Sequence, residues 1–299
     1  MKRKKSTRRY PFAWLFVLLR FGFRHPGIFL LVLAAGLGGY GYELKIARPA
    51  MLYQGEPIAQ QASNPDTWFR TLRNHGFILG YSDLRGNPLW VEYALKPVAD
   101  TNPSLKRPSR FSADWRSINQ LDHDSYQKSG YDRGHMAPNY AMSQLFGKQA
   151  QLDSFLMTNI TPQKAKLNQQ LWQRLEEVEI NTFAKAFGKV WVITGPIFDA
   201  NVERLPSAWT VEIPDAFYKI YLTEAKPTAS SVALSFIVPQ TVRGNEPLSQ
   251  FVATIDTIEA QTGLDFFADL DDKTETALES AMNPQAWHLS AVSNLPSRY

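Results

Sequence analysis

The stretch Tyr131-Asp132-Arg133-Gly134-His135, followed downstream by Asn159-Ile160-Thr161-Pro162-Gln163 and Leu167-Asn168-Gln169, decides the reading of this chain. His135 carries an imidazole that titrates near neutral pH and can accept a proton from water. Arg133, two residues earlier, lies on the same side of an extended segment and offers a planar fork suited to phosphate. Gly134 is expected to let the backbone turn tightly between them, and Asp132 to tie down the loop or a neighbouring cation. Alone, the segment reads equally well as a surface loop in which Asp132 and Arg133 pair and His135 is solvated, because a four-residue motif is a weak signal.

The second segment supplies what the first lacks. A helical pattern runs from Leu167 to Phe187. On it Asn168 and Glu176 are eight residues apart, ~80° around the axis and ~12 Å along it, so they share a broad face but are too far apart to ligate one ion together. Asn168 is therefore expected to touch a metal directly, with Glu176 acting through water. A neutral oxygen donor among waters suits Mg2+, with Mn2+ as a substitute, whereas zinc would want more histidine. Asn168 can also cap the helix, a use compatible with ligation. Phosphodiester hydrolysis needs an activated water, neutralised phosphoryl oxygens and help for the leaving oxygen, and these residue types can supply all three.

Charge does not add to that expectation. The chain has 299 residues and a net charge of +4. Residues 1–48, however, hold ten basic residues and one acidic, leaving 32 − 10 = 22 basic against 28 − 1 = 27 acidic in the remainder, a net of −5. A polyanion would have to be held by a local cationic groove. The absence of cysteine excludes disulfides and Cys-ligated metal centres.

The basic residues cluster before an apolar aromatic run, Phe12 to Phe23, and a second, uncharged run, Gly27 to Tyr42. As a helix the second run rises ~24 Å, enough to span a bilayer with snorkelling flanks. The reading is a signal anchor over about 27–42 within a basic segment 1–48, with everything after Glu43 on the extracytoplasmic side, periplasmic in a bacterium. Cleavage near Leu33-Ala34-Ala35-Gly36 followed by secretion, or a mitochondrial presequence, are the alternatives. Residues 49–70, with Pro49, Pro57 and Pro65, read as a linker, and 71–299 as one domain. Within it Pro88–Leu95, Lys189–Pro196, Ala216–Leu222 and Ser231–Pro239 read as strands, the last two paired, and Pro247–Thr262 as a helix closed by Gly263. Strands outnumber helices, which makes the domain α+β.

Asp132-Arg133-Gly134-His135, Asn159 to Gln163, Leu167-Asn168-Gln169 and Trp172 through Arg174-Leu175-Glu176 jointly resemble the DNA/RNA non-specific endonucleases, a family that includes secreted bacterial nucleases and mitochondrial endonuclease G. Weaker likeness extends to Trp90-Val91-Glu92-Tyr93 and Val192 to Phe198, so that it covers roughly residues 75–270. The resemblance implies a ββα-metal (His-Me finger) core, with a mostly antiparallel sheet flanked by helices, beside the N-terminal anchor helix. It implies cleavage of DNA and RNA that leaves 5′-phosphate ends. His135 then matches the general base, Asn168 the ligand of a single Mg2+, Glu176 the glutamate that orients water around the metal, Arg133 the arginine near substrate, and Asn159 a supporting asparagine. Arg110, in Pro108-Ser109-Arg110-Phe111, is chosen over Arg107 and Arg116 as an upstream phosphate clamp. Ile180 stands where the secreted bacterial type has an arginine. A phosphodiesterase of the same fold on another substrate and a catalytically idle membrane-tethered binding domain are the rival readings. A homodimer is open, since no heptad or apolar stripe commits to one. His75, His123 and His288 read as bystanders, Asp265, Asp269, Asp271 and Asp272 as solvated carboxylates on a packed turn ahead of a calcium site, and Trp115 and Trp172 as candidates to stack on a base.

Overall fold

The computed structural model describes residues 13–99, 102, 105–224 and 231–298; the basic cluster Lys2 to Arg9 lies outside them. The chain divides into two units, Met1–Ala50 and Met51–Tyr299. In the first, helices span Ala13–Arg24 and Pro26–Tyr42, with Pro26 at the first helical position, where its missing N–H costs nothing. With the turns that continue it, Pro26–Met51 is the one helix among the described residues long and apolar enough to cross a membrane, and none of it is buried.

The second unit is built on a seven-stranded sheet, antiparallel throughout, in the order Val252–Ala253, Ala233–Pro239, Ala216–Thr223, Val190–Ile197, Asn87–Leu95, Phe77–Ser82, Arg70–Arg73. Residues of the central strands are apolar on both sides because both faces are covered. Leu79, Val91, Tyr93, Val192, Phe217 and Tyr221 pack with Leu167, Leu171, Trp172, Leu175, Val178 and Phe183 of the long helix. Their alternates Ile78, Trp90, Trp191, Ile193, Tyr218 and Ile220 face Ile255, Ile258 and Phe266. The domain is α+β, as the sequence pattern implies, with the antiparallel central sheet between helical layers that the family resemblance implies.

Two local expectations change. Residues 49–70 are not a free linker. From Met51 the chain packs on the domain: Tyr53 is buried and its N–H donates to Glu92, while Ile58 and Ala59 pair with Asp265 and Leu264. Those partners lie far downstream, where no local pattern points to them. The helix expected over 247–262 begins only at Ile255, because Val252–Ala253 pairs with Ser235 and Phe236 at the sheet edge. Thr254 then caps the helix by accepting from Thr257 N–H at 3.1 Å, and Gly263, at φ 69°, ends it.

Candidate active site

The motif lies on a two-stranded ribbon, Asp132–His135 antiparallel to Ile160–Gln163, that leads into the helix from Leu167. This is the ββα unit. Two short helices, Asn139–Leu145 and Gly147–Ser154, fill the connection between the strands. Gly134 does not turn here, since it sits within the strand opposite Thr161. Its lack of a side chain answers to close approach instead: a Cβ there would lie 2.6 Å from Gln163 Cγ and nearer still to its amide.

Alternation along the strand sorts the motif into two sides. Asp132 faces the helix, where its Oδ2 accepts from Asn168 Nδ2 at 3.0 Å and from Gln169 Nε2 at 2.8 Å. Because the amide nitrogen of Asn168 is spent on Asp132, its carbonyl oxygen is the atom left to face a cation. Arg133 and His135 share the other side against Phe111, with the Arg133 guanidinium 5.9 Å and the His135 ring 5.3 Å from that ring. Arg133 also donates through Nε and Nη2 to the His123 carbonyl at 2.9 and 2.6 Å, so its fork is anchored beside the site.

His135 is 7% exposed, packed edge-on to Phe155 at 4.9 Å, and its Nε2 has no hydrogen-bond partner. Burial, helped by the charge of Arg107, pushes its pKa down to about 3, so the ring is neutral. Asn159, fully buried, holds the backbone that follows: its Oδ1 accepts from Ala137 N–H, and its Nδ2 donates to the Ala137 and Ser154 carbonyls, all at 2.9 Å. Thr158 beside it donates to Asp114 at 2.7 Å, and Asp114 is bound by Arg116. Against burial, those bonds hold the Asp114 carboxyl below its ordinary value.

The long helix is wound with i→i+5 turns at Leu167–Trp172 and again at Glu179–Phe183. A single such turn between Asn168 and Glu176 takes one residue more than an α-turn, which turns their separation from ~80° to about −20°, nearly in line along the helix. Glu176 is half-buried, and burial raises its carboxyl to about 8, opposed by Lys219 and further raised by Glu179. Lys219 and Glu179, both fully buried, pair at 2.9 Å behind it, with Tyr93 and Tyr221 hydroxyls donating to the same carboxylate at 2.9 and 3.1 Å.

The upstream arginines differ in placement. Arg110 is 63% exposed and paired with Asp124 at 3.0 Å, whereas Arg107 stacks over Phe155 at 5.2 Å and its charge acts on both His135 and Glu176. Arg116 is spent on Asp114 and Asn74. Ile180 is core, and so is Trp172, which is fully buried and closed to any base; Trp115 is 85% exposed. His123 stacks on Phe111 and accepts from its N–H, beside the site and not remote from it. Phe111 and Phe155, which wall the histidine, carry no signal in a motif search beyond Phe111 following Arg110. A cleft of about 730 Å³ lined by Asn74, His75, Asp114, Trp115, Arg116 and Phe146 includes none of the motif residues.

The donor set, an amide oxygen with half-buried Glu176 along the same helix and no cysteine, fits a hard cation that keeps its waters. The groups of three or more His, Asp or Glu side chains close enough to hold an ion lie elsewhere among the described residues, on the helices Ile255–Thr262 and Asp272–Glu279 and the short strand Leu264–Asp265 between them.

The family described as DNA/RNA non-specific endonuclease matches residues 56–273. Similar curated proteins include the mitochondrial nuclease EXOG of Danio rerio, 29% identical over 66% of this chain and 60% of its own length, and a nuclease of Serratia marcescens, 34% identical over 50% and 55%. The mitochondrial endonuclease G of Homo sapiens is 28% identical over 64% of this chain and 67% of its own. The match thus spans little more than half the length of the first two relatives. A chain in the crystal structure of the EndoG/EndoGI complex superposes with a TM-score of 0.55 at 23% identity, covering 68% of this chain and 88% of that one, a likeness of fold.

Proposed function

This chain belongs to the DNA/RNA non-specific endonuclease family, and on that premise we propose that it is a Mg2+-dependent endonuclease that hydrolyses DNA and RNA with little base preference and leaves 5′-phosphate ends. One observation carries the reading: Asp132 holds the Asn168 amide with its carbonyl oxygen free, on the same strand that presents a neutral His135 between Phe111 and Phe155. Asn168 would hold the ion, and the ion would neutralise charge on the phosphoryl and leaving oxygens. His135 would accept the proton of the attacking water through its imidazole. Phe111 and Phe155 keep the ring in place and shield it, and Asn159 fixes the backbone at Ala137. Glu176, in line with Asn168, would orient the ion's water shell. Arg133 and Arg107 border the histidine and would meet the phosphate, with Arg110 reaching it after release from its exposed partner Asp124. Recognition through phosphates alone accounts for the lack of base preference.

The helix Pro26–Met51 would tether the domain to a membrane, with residues 51–299 on the side opposite the basic start. The presence of mitochondrial nucleases among the relatives supports an organelle as the alternative setting. The test of activity is incubation of the protein with supercoiled plasmid and with RNA, in Mg2+ or chelator, followed by end analysis. Mg2+-dependent cleavage with 5′-phosphate ends is expected; no cleavage of either polymer would overturn the reading.

A further inference from the structure

We propose that Glu279, with Glu259 and Asp256 on one side and Asp265 and Glu275 on the other, forms a Ca2+ site that ties the two C-terminal helices together, separate from the proposed nuclease centre. Asp256 and Glu259 lie on the helix Ile255–Thr262, Glu275 and Glu279 one turn apart on the helix Asp272–Glu279, and Asp265 on the short strand between. Carboxylate oxygens of Asp256, Glu259 and Glu279 lie within 4.8 Å of one another, and so do those of Asp265, Glu275 and Glu279. Oxygens bound 2.3–2.6 Å from one Ca2+ stand at most ~5 Å apart, so each set fits inside a single coordination sphere.

A cluster of acids is common without an ion, but this one has a further feature. Glu279 is 6% exposed and its Oε1, shut off from solvent, receives no hydrogen bond. Glu259, 7% exposed, takes one donor, the Phe266 N–H at 2.8 Å. Among the described residues no lysine, arginine or histidine is ion-paired with any of the five. Residues 256–279 hold eight acidic side chains and one basic, Lys273. A buried carboxylate whose side-chain hydrogen bond is to a second acid, Glu259, and which has no counter-charge is costly to ionise, and a cation that prefers six to eight oxygens in flexible geometry removes the cost. Mg2+ gives up its waters reluctantly, which disfavours it where Glu259 and Glu279 leave little room for hydration. The competing way to relieve the repulsion is a proton shared between Glu259 and Glu279.

The site is read by stability and binding, independently of nuclease activity. In metal-free buffer, adding CaCl2 to a hundredfold excess over Kd should raise the Tm of the full chain by about 5 °C or more, and the same concentration of MgCl2 by much less. Equilibrium dialysis with labelled Ca2+ should show the binding directly on the unaltered protein. Glu279→Gln, which removes one repelling charge at constant shape, should fold in chelator at least as well as the wild type yet lose the Ca2+ shift, while Asn168→Ala keeps it. No Ca2+ binding by the wild type, a shift that survives Glu279→Gln, or one that disappears in Asn168→Ala would each overturn the proposal, the first leaving the shared proton as the explanation.

Discussion

Replacing Asp132 with alanine should weaken metal binding without unfolding the protein. The Asp132 carboxylate accepts the Asn168 amide at 3.0 Å and the Gln169 amide at 2.8 Å on one oxygen. Both bonds are to a charged acceptor, but Asp132 is half exposed, so each is worth the lower end of about 1.5–3 kcal/mol, and water replaces much of that when the carboxylate goes. Stability should therefore fall by only about 1 kcal/mol. What is lost is the orientation of the ligand: the Asn168 amide becomes free to rotate and present its nitrogen. Loss of a residue that orients a metal ligand typically lowers affinity ~10–100-fold, about 1.4–2.7 kcal/mol. The assay is plasmid cleavage against Mg2+ concentration, with a urea unfolding curve beside it. The half-saturating Mg2+ should rise by that factor while the rate at saturation largely recovers. An unchanged Mg2+ dependence, or a loss of stability of several kcal/mol, would refute the reasoning that Asp132 works by holding Asn168.

Further expectations follow from the same contacts. Asn159→Ala leaves the Ala137 N–H and the Ala137 and Ser154 carbonyls without partners in a buried position, and should cost about 2–4 kcal/mol in urea unfolding; Asn159→Asp should not restore it, because both carbonyls still lack a donor. Gly134→Ala drives a Cβ to within 2.6 Å of Gln163 Cγ and should lower stability by about 1–3 kcal/mol in the same measurement, with Gln163→Ala as a partial suppressor. His135, depressed to about 3 from 6.5, stays neutral in the native state while the unfolded chain takes up a proton, so its contribution is present above pH 6.5 and is lost as pH falls toward 3. Glu176, raised to about 8 from 4.5, does the reverse: the native state keeps its proton, and stability is lost as pH rises from 4.5 to 8. In metal-free buffer the contributions of these two groups, each with a slope of at most about 1.4 kcal/mol per pH unit, offset each other between pH 4.5 and 6.5. Glu176→Gln should make the alkaline decline shallower, leaving the share of Glu259 and Glu279, raised to about 7 and about 9, and should not change the acid one, which unfolding curves against pH will read.

Elements set by local pattern were legible in the chain. The long helix followed from the helical pattern over Leu167 to Phe187, and the central strands from Lys189–Pro196 and Ala216–Leu222, each within a residue of the bounds found. What depended on distant partners was not. Ile58 and Ala59 look like linker until Leu264 and Asp265 arrive beside them, and Val252–Ala253 looks helical until the edge strand claims it. The site divided along the same line. Asp132, His135 and Asn168 were named from residue type and spacing and Asn159 from the family resemblance, whereas the aromatic walls Phe111 and Phe155 and the buried Lys219–Glu179 pair come from tertiary packing. Helical geometry was half legible: the eight-residue spacing of Asn168 and Glu176 was visible, but the i→i+5 turn that brings them nearly into line leaves no periodic trace.

The most direct test is the rate of plasmid and RNA cleavage by His135→Ala at saturating Mg2+, alongside the wild type and a DNA-binding measurement on both. A general base contributes ~10²–10⁴-fold, so the variant should cleave both polymers slower by that factor with DNA binding unchanged. Cleavage at the wild-type rate would contradict the account.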